Sequence, residues 1–259
     1  MKLSIYQIDA FAEKPFEGNP AAICPLEKWL PDNVMLSIAK ENNLSETAFF
    51  VTTSNGFHIR WFTPSTEVDL CGHATLAAAY VIFHCFDYKN ETIYFESKSG
   101  ILSVSKSASH LVMDFPAQPP IICDVPKEIE EALGVKPLEC LRSEDYIVVL
   151  NNESEVLAAK PNLNILRNLD LRGVIITSKS NDFDFVSRFF GPKCGIDEDP
   201  VTGSAHTQLA PYWSKQLSKN ILHAKQLSSR GGELYCEISS DRVIISGKAV
   251  KYLQGEIEI

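Results

Sequence analysis

The most constraining feature of this sequence is a pattern that occurs twice, about half a chain length apart. Asp69-Leu70-Cys71-Gly72-His73-Ala74-Thr75 precedes one apolar helical stretch, and Asp199-Pro200-Val201-Thr202-Gly203-Ser204-Ala205 precedes another. The two glycines lie 131 positions apart (203 − 72 = 131) in a chain of 259 residues. Self-similarity of this kind predicts two similar halves, each with a glycine at the start of a helix.

Two further matches flank this pattern in the same order. Phe57-His58-Ile59-Arg60-Trp61-Phe62-Thr63-Pro64 aligns with Phe185-Val186-Ser187-Arg188-Phe189-Phe190-Gly191-Pro192, at an offset of 128 (185 − 57 = 128). Lys98-Ser99-Gly100-Ile101-Leu102 aligns with Arg230-Gly231-Gly232-Glu233-Leu234, at an offset of 132 (230 − 98 = 132). Three segments with a nearly constant offset indicate an internal duplication.

The elements around the two helices are mostly strands. Central helices are predicted at about 72–86 and 203–217, and the proline-rich stretch 116–120 marks a boundary between domains 1–115 and 116–259. Neither half alternates regularly between strands and helices, so a doubly wound parallel sheet is not expected. The sequence predicts an α+β fold in which each domain wraps a mixed or antiparallel sheet around one helix. The last strand could also belong to the first domain.

Each helix start is a candidate anion site, because the first backbone N–H groups of a helix have no intrahelical partner. Gly203 has no side chain to block an approaching group, and Thr202 or Ser204 can cap the helix. If the halves are related by a twofold axis, the two helix starts face each other across a cleft. A small carboxylate could then be bound between them without a metal.

Several polar residues have both a functional and a structural interpretation. Glu46 precedes an apolar strand, where a carboxylate is costly unless it is solvated or paired. His73 and Asp199 could act on a ligand or stabilise the helix starts. Cys71 could be a nucleophile, although a small buried thiol is the commoner role of such a cysteine. Ser204 suits a ligand-binding hydroxyl, since no base is adjacent in sequence.

Composition narrows the class of partner. The net charge of −9 argues against nucleic acid, which needs a basic surface. Seven cysteines at wide spacing, without a C-x-x-C pair, favour reduced thiols in a cytoplasm over disulfides or a zinc site. The polar N-terminus predicts no signal peptide. The longest apolar run, 76–83, is too short to span a bilayer.

The motifs of this chain together resemble those of the PhzF-like family of phenazine biosynthesis proteins. They are Gly18-Asn19-Pro20-Ala21-Ala22, Leu44-Ser45-Glu46-Thr47-Ala48, Arg60-Trp61-Phe62-Thr63-Pro64, Glu67-Val68-Asp69-Leu70-Cys71-Gly72-His73-Ala74-Thr75, Glu198-Asp199-Pro200-Val201-Thr202-Gly203-Ser204-Ala205 and Ser229-Arg230-Gly231-Gly232. The resemblance extends from about residue 5 to about residue 250. It implies the duplicated diaminopimelate epimerase-like fold, with the site between two domains, and a homodimer.

The resemblance also implies a cofactor-independent isomerase that moves a proton on a small carboxylate-bearing substrate, with no metal. Glu46 would be the general acid/base, supported by His73 and Asp199. The substrate-binding positions would be Ser45, Gly72, Gly203 and Ser204.

Two alternatives stay open. One is an epimerase or dehydratase that uses Cys71. Thr202 weakens this alternative, because it stands in the matching half at the place where a two-thiol mechanism needs a second cysteine. The other is a non-catalytic protein that binds a small metabolite.

Overall fold

The chain divides into two units, and the first is built from both ends of the sequence. The structure, a computed structural model, describes residues 1–86 and 88–259. The first unit comprises Met1–Asp114 and Ser246–Ile259, and the second comprises Phe115–Ile245. The last strand therefore lies in the first unit, a placement that the sequence leaves open.

The strands are β1 (Lys2–Ala10), β2 (Asn19–Leu26), β3 (Glu46–Thr53), β4 (Gly56–Phe62), β5 (Glu67–Val68), β6 (Thr92–Ser97), β7 (Gly100–Ser107), β8 (His110–Pro116), β9 (Ile121–Ile122), β10 (Glu139–Arg142), β11 (Tyr146–Val149), β12 (Val174–Lys179), β13 (Phe185–Gly191), β14 (Ile196–Asp199), β15 (Ile221–Gln226), β16 (Gly232–Ser239), β17 (Arg242–Gly247) and β18 (Ala249–Glu258). The helices are α1 (Asp32–Asn42), α2 (Gly72–Cys85), α3 (Lys127–Leu133), α4 (Glu153–Ala158), α5 (Leu163–Leu166) and α6 (Gly203–Leu217).

The first unit contains a mixed sheet in the order β18-β1-β2-β3-β4-β6-β7-β8. The pairs β2/β3 and β4/β6 are parallel, and the other pairs are antiparallel. The short strand β5 adds to β4. Helix α1 connects the parallel strands β2 and β3, as a parallel crossover requires.

Helix α2 is the centre of the first unit. Its sequence is rich in alanine, and its residues from His73 to Ala79 are all buried. A helix that is apolar on every side must be surrounded by protein. Strands from distant parts of the sheet, β18, β1, β2, β3 and β7, all contact this helix. The sheet therefore curves around α2.

The second unit contains a mixed sheet in the order β9-β10-β11-β12-β13-β15-β16. The pairs β11/β12 and β13/β15 are parallel, and β14 adds to β13. Helix α6 contacts β15 and β16. On α6, Trp213 donates from Nε1 to Thr177 Oγ1 on β12 at 3.0 Å.

The two sheets have the same order of pairing. The flanking strands are left aside in this comparison. The five successive strand pairs are antiparallel, parallel, antiparallel, parallel and antiparallel, both from β1 to β7 and from β10 to β16. Each long helix follows the short strand that adds to the middle of its sheet. The observed architecture is a mixed α/β fold with few helices, in agreement with the predicted mixed sheets.

Two arginines at matching places each bind a glutamate on the neighbouring strand. Arg60 on β4 donates from Nε and Nη2 to both oxygens of Glu67 at 2.8 Å. Arg188 on β13 donates to both oxygens of Glu198 at 2.7 and 3.0 Å. Such forked pairs combine charge with fixed geometry. These arginines therefore serve to join strands.

None of the seven cysteines, all of which fall within the described ranges, forms a disulfide. Within 1–86 and 88–259, no helix is both long enough and apolar enough to cross a membrane.

Candidate functional site

A buried polar cluster lies at the start of α2 in the first unit. Glu46 is the first residue of β3 and His73 is the second residue of α2, and both are buried. His73 Nε2 lies 3.2 Å from Glu46 Oε2. Since α2 packs against β3, the fold brings together two residues that are 27 positions apart (73 − 46 = 27).

The other ring nitrogen of His73 also faces polar atoms. Asn19 Nδ2 lies 3.2 Å from His73 Nδ1, and Cys71 Sγ lies 3.5 Å from the same atom. Asn19 begins β2, and Cys71 is the N-cap residue of α2 without a side-chain capping bond. The histidine is thus contacted on both sides of its ring.

Burial keeps His73 neutral. It lowers the pKa of this histidine to about 3, because the charged ring would be removed from water. A neutral imidazole carries one proton, so one ring nitrogen can donate while the other accepts. The contact between Nε2 and Glu46 is close but does not have the geometry of a hydrogen bond. The cluster can therefore orient a carboxylate and exchange a proton with it.

The same side chains are also of types that bind metals. Donor atoms of Glu46, Cys71 and His73 lie within 4.8 Å of one another. However, Cys71 approaches Nδ1 whereas Glu46 approaches Nε2, and an imidazole binds one ion through one nitrogen. The arrangement therefore suits proton transfer between the two ring nitrogens' partners better than the binding of one metal ion by all three side chains.

The remaining predicted residues of the first unit lie beside this cluster. Gly72 is the first residue of α2, between Cys71 and His73. Ser45 precedes Glu46 and is half-buried. The first unit thus brings Ser45, Glu46, Gly72 and His73 to one place.

In the second unit, Asp199 and Thr202 form a tight contact before α6. Thr202 Oγ1 donates to Asp199 Oδ2 at 2.5 Å. The backbone N–H of Thr202 donates to Gln226 Oε1 at 2.9 Å. The prediction that Thr202 or Ser204 caps α6 is wrong: Thr202 is the N-cap residue, but its hydroxyl is committed to Asp199 and makes no capping bond.

Ser204 belongs to a second network in this unit. Arg172 Nη2 donates to Ser204 Oγ at 3.0 Å and to Asp145 Oδ2 at 2.6 Å. Gln208 Nε2 donates to Asp145 Oδ2 at 2.7 Å. Guanidinium has donors only, so the Ser204 oxygen accepts and its own hydrogen can point elsewhere. This network fixes the first turn of α6.

Gly203 is buried but has space beside it. Apart from its chain neighbours and the backbone of α6 itself, a Cβ atom built on Gly203 would meet no heavy atom within 4 Å. Open space at a helix start leaves the backbone N–H groups accessible. The second unit thus gathers Asp199, Gly203 and Ser204 at the start of α6; a single site that combines them with Glu46 stays a prediction of the sequence.

The buried histidines make stability depend on pH. His206 Nδ1 donates to Thr202 O at 2.8 Å, and burial lowers the pKa of His206 to about 4. In the unfolded chain, His73 and His206 take up protons near pH 6.5, but in the folded chain only near pH 3 and 4. Between these folded values and pH 6.5, the unfolded state therefore binds more protons than the folded state. We expect the unfolding free energy to fall, as pH drops through this range, by about 1.4 kcal/mol per pH unit for each histidine.

Urea unfolding at pH 7 and at pH 5 measures this dependence. His206→Gln is expected to remove the contribution of one histidine, whereas His84→Gln, on an exposed part of α2, should leave the pH dependence as in the wild type. Equal pH dependence in all three proteins would contradict the prediction.

Sequence reasoning missed five residues of these networks. They are Asn19, Asp145, Arg172, Gln208 and Gln226. Asn19 could have been found, because it stands in the Gly18-Asn19-Pro20 motif. The other four carry no local signal, since their contacts connect segments that are distant in the sequence.

Comparison with known proteins identifies the family. The family model for phenazine biosynthesis-like proteins (PhzC-PhzF) matches residues 8–255. An uncharacterized isomerase of Pseudomonas aeruginosa is 51% identical over 259 residues, which cover 100% of both chains. An uncharacterized isomerase of Halalkalibacterium halodurans is 45% identical over 262 residues, which cover 99% of both.

A crystal structure supports the same assignment. The phenazine biosynthesis protein of the PhzF family from Enterococcus faecalis has a TM-score of 0.98, 48% sequence identity and coverage of 100% of both chains. Similarity over the whole length confirms the resemblance seen in the motifs. The chain therefore belongs to the phenazine biosynthesis-like PhzC-PhzF family.

Proposed function

We propose that this chain is an isomerase that moves a proton on a small carboxylate-bearing substrate, with Glu46 as the general acid/base. The observation that carries this proposal is the buried contact of 3.2 Å between His73 Nε2 and Glu46 Oε2. A carboxylate that is oriented by a neutral imidazole at the start of a helix is suited to take a proton from carbon.

The enzyme class agrees with the relatives. Two proteins that are 51% and 45% identical to this chain are named isomerases, which confirms the predicted class. The substrate, the homodimer and the cytoplasmic location stay predictions. We also propose that the two units arose by duplication, which their equal pairing order and the matching pairs Arg60–Glu67 and Arg188–Glu198 support.

In the proposed reaction, the Glu46 carboxylate takes a proton from a carbon atom and returns a proton to another position. The proton count is unchanged, so the step needs no oxidant or reductant. Because a C–H bond is far less acidic than a carboxylic acid, the negative charge on the substrate must be stabilised. A general base contributes about 10²–10⁴-fold. An oriented N–H donor contributes about 10²–10³-fold, and the starts of α2 and α6 both offer such donors.

A second candidate mechanism uses Cys71. Its Sγ lies 3.5 Å from His73 Nδ1, so a thiol and a base are in contact. An epimerase with two thiols would need a second cysteine at the start of α6. That place is occupied by Thr202, whose hydroxyl donates to Asp199. A threonine in place of the second cysteine favours Glu46 over a two-thiol mechanism.

Solvent deuterium exchange tests the proposal. The protein is incubated in D₂O with small amino, hydroxy and cyclohexadiene carboxylic acids, and the mass of each acid is followed. Under the Glu46 mechanism, deuterium enters one class of acid, and Glu46→Gln abolishes the exchange. Under the alternative, exchange is lost in Cys71→Ala and survives in Glu46→Gln. Binding detected by thermal shift, with no exchange of any acid, would favour a metabolite-binding protein.

The open space at Gly203 gives a separate prediction. Gly203→Ala is expected to keep the fold, because the added Cβ meets no heavy atom within 4 Å apart from its chain neighbours and the backbone of α6. The methyl group would occupy the space in which an anion approaches the helix start. Loss of one hydrogen bond to a charged group costs about 1.5–3 kcal/mol, so we expect the KM of the exchanging acid to rise by about 10–100-fold. An unchanged KM would argue against anion binding there.

A further inference from the structure

We propose that Asn19 is a positioning residue that holds His73 in the tautomer with its proton on Nε2, the ring nitrogen that lies beside Glu46. Its catalytic consequence rests on the proposed function of Glu46. The tautomer itself follows from the contacts around the ring and can be measured without a substrate.

The first step concerns the Nδ1 side of His73. Asn19 is fully buried, and its Nδ2 lies 3.2 Å from His73 Nδ1. An amide nitrogen carries hydrogens and has no free acceptor pair, so it can only donate. With the amide nitrogen turned toward the ring, Nδ1 accepts. Cys71 Sγ, at 3.5 Å from the same nitrogen, can also donate its weak S–H.

The second step concerns the Nε2 side. A neutral imidazole has one proton, and with Nδ1 as acceptor this proton is on Nε2. Burial keeps the ring neutral, since it lowers the pKa of His73 to about 3. Nε2 lies 3.2 Å from Glu46 Oε2, and an ionised carboxylate can only accept. The contacts of both nitrogens thus agree with one tautomer: Asn19 donates to Nδ1, and Nε2 lies beside Glu46 Oε2 in a close contact that does not have the geometry of a hydrogen bond.

The backbone before Asn19 explains how its side chain reaches the histidine. Gly18 has a φ of +67°, and a Cβ at this position would lie 2.1 Å from the carbonyl oxygen of Ala10. Only glycine allows such a turn so close to β1. Asn19 then pairs with Ala10 at the start of β2, which contacts α2. The Gly-Asn-Pro motif therefore has a direct structural role in orienting His73.

Histidine tautomers can be measured by NMR with ¹⁵N-labelled histidine in the full-length protein. Long-range ¹H–¹⁵N correlations distinguish the protonated ring nitrogen from the other, and comparison with His73→Gln assigns the signal among the six histidines. At neutral pH, we expect the wild-type His73 signal to show a proton on Nε2. In Asn19→Asp, the new carboxylate can only accept a hydrogen bond, so we expect the proton of the ring to move to Nδ1.

A matched control changes another asparagine of the same unit. Asn42 Nδ2 donates to Thr47 Oγ1 at 3.0 Å, and the hydroxyl can reverse its role when Asn42 becomes Asp. Asn42→Asp should leave the His73 signal unchanged. Asn19→Ala removes the amide donor without adding charge, while Cys71 and Glu46 stay beside the ring. It is expected to raise the population of the Nδ1–H tautomer above the wild-type level, and it covers the case in which Asn19→Asp does not fold.

Two results would overturn the proposal. One is a wild-type His73 with its proton on Nδ1. The other is a tautomer population of His73 that is the same as in the wild type in folded Asn19→Asp or Asn19→Ala. These outcomes are independent of the deuterium experiment, since a failure of Glu46→Gln to reduce exchange would reject the catalytic role and leave the tautomer intact. Where an acid exchanges, Asn19→Asp should shift the pH profile of the exchange rate, whereas Asn42→Asp should not.

Discussion

Replacing Glu46 by Gln is expected to lower the rate of deuterium exchange by about 10²–10⁴-fold, which corresponds to about 3–5 kcal/mol of transition-state free energy. The amide of glutamine has nearly the shape of the carboxylate, but it is too weak a base to take a proton from carbon. The glutamine side chain can still lie in contact with His73 Nε2, so the buried cluster is kept. The measurement is the rate at which deuterium enters the exchanging acid, followed by mass spectrometry.

The control for this variant is a carboxylate outside the cluster. Glu27 is exposed, and Glu27→Gln should exchange at the wild-type rate. Thermal melting of both variants checks that the fold is kept. Exchange by Glu46→Gln within about threefold of the wild type would show that another group moves the proton, and Cys71→Ala would then be the next variant to measure.

Replacing Arg188 by Met is expected to lower the unfolding free energy of the second unit by about 3–5 kcal/mol. The side chains of Arg188 and Glu198 are 13% and 25% exposed, so removal of the arginine leaves a largely buried carboxylate. Arg188 Nη1 also donates to the carbonyl oxygens of Val156 at 3.0 Å and Ala159 at 2.7 Å. These carbonyls at the end of α4 would lose a donor.

Urea unfolding of the full chain measures this effect, with Arg142→Met as the matched control. Arg142 pairs with Asp170 in the same unit, but the two side chains are 40% and 60% exposed. An exposed pair contributes about 0–1 kcal/mol, since water screens both charges. If both variants lose the same free energy, the forked pair is not a main support of this unit.

The sequence predicted the two long helices closely, for a physical reason. Residues 72–86 and 203–217 were expected, and the helices are Gly72–Cys85 and Gly203–Leu217. In α2 nearly every side chain is apolar, and in α6 the apolar residues Leu209, Trp213 and Leu217 are four positions apart, so both helices have a local signal. The mixed character of the sheets also followed from the lack of alternating strands and helices.

The interactions of the polar residues did not follow from the sequence in the same way. Glu46 could be a solvated residue at the start of a strand or a buried, paired carboxylate. The contact with His73 decides for the buried alternative, and it depends on the packing of α2 against β3. The cap of α6 was wrongly predicted: Thr202 Oγ1 donates to Asp199 Oδ2, accepts from Gln226 Nε2 at 3.2 Å and makes no bond to a backbone N–H of the helix.

The sequence by itself determined the family, the enzyme class, the positions of both long helices and the residues at their starts. These features depend on motifs and on the order of local elements, which are written along the chain. Only the tertiary structure decided that Asn19 contacts His73, that Arg172 joins Ser204 to Asp145, and that the last strand pairs with β1. Such contacts depend on how distant segments pack, and a hydrogen-bonding side chain carries no local mark of its partner.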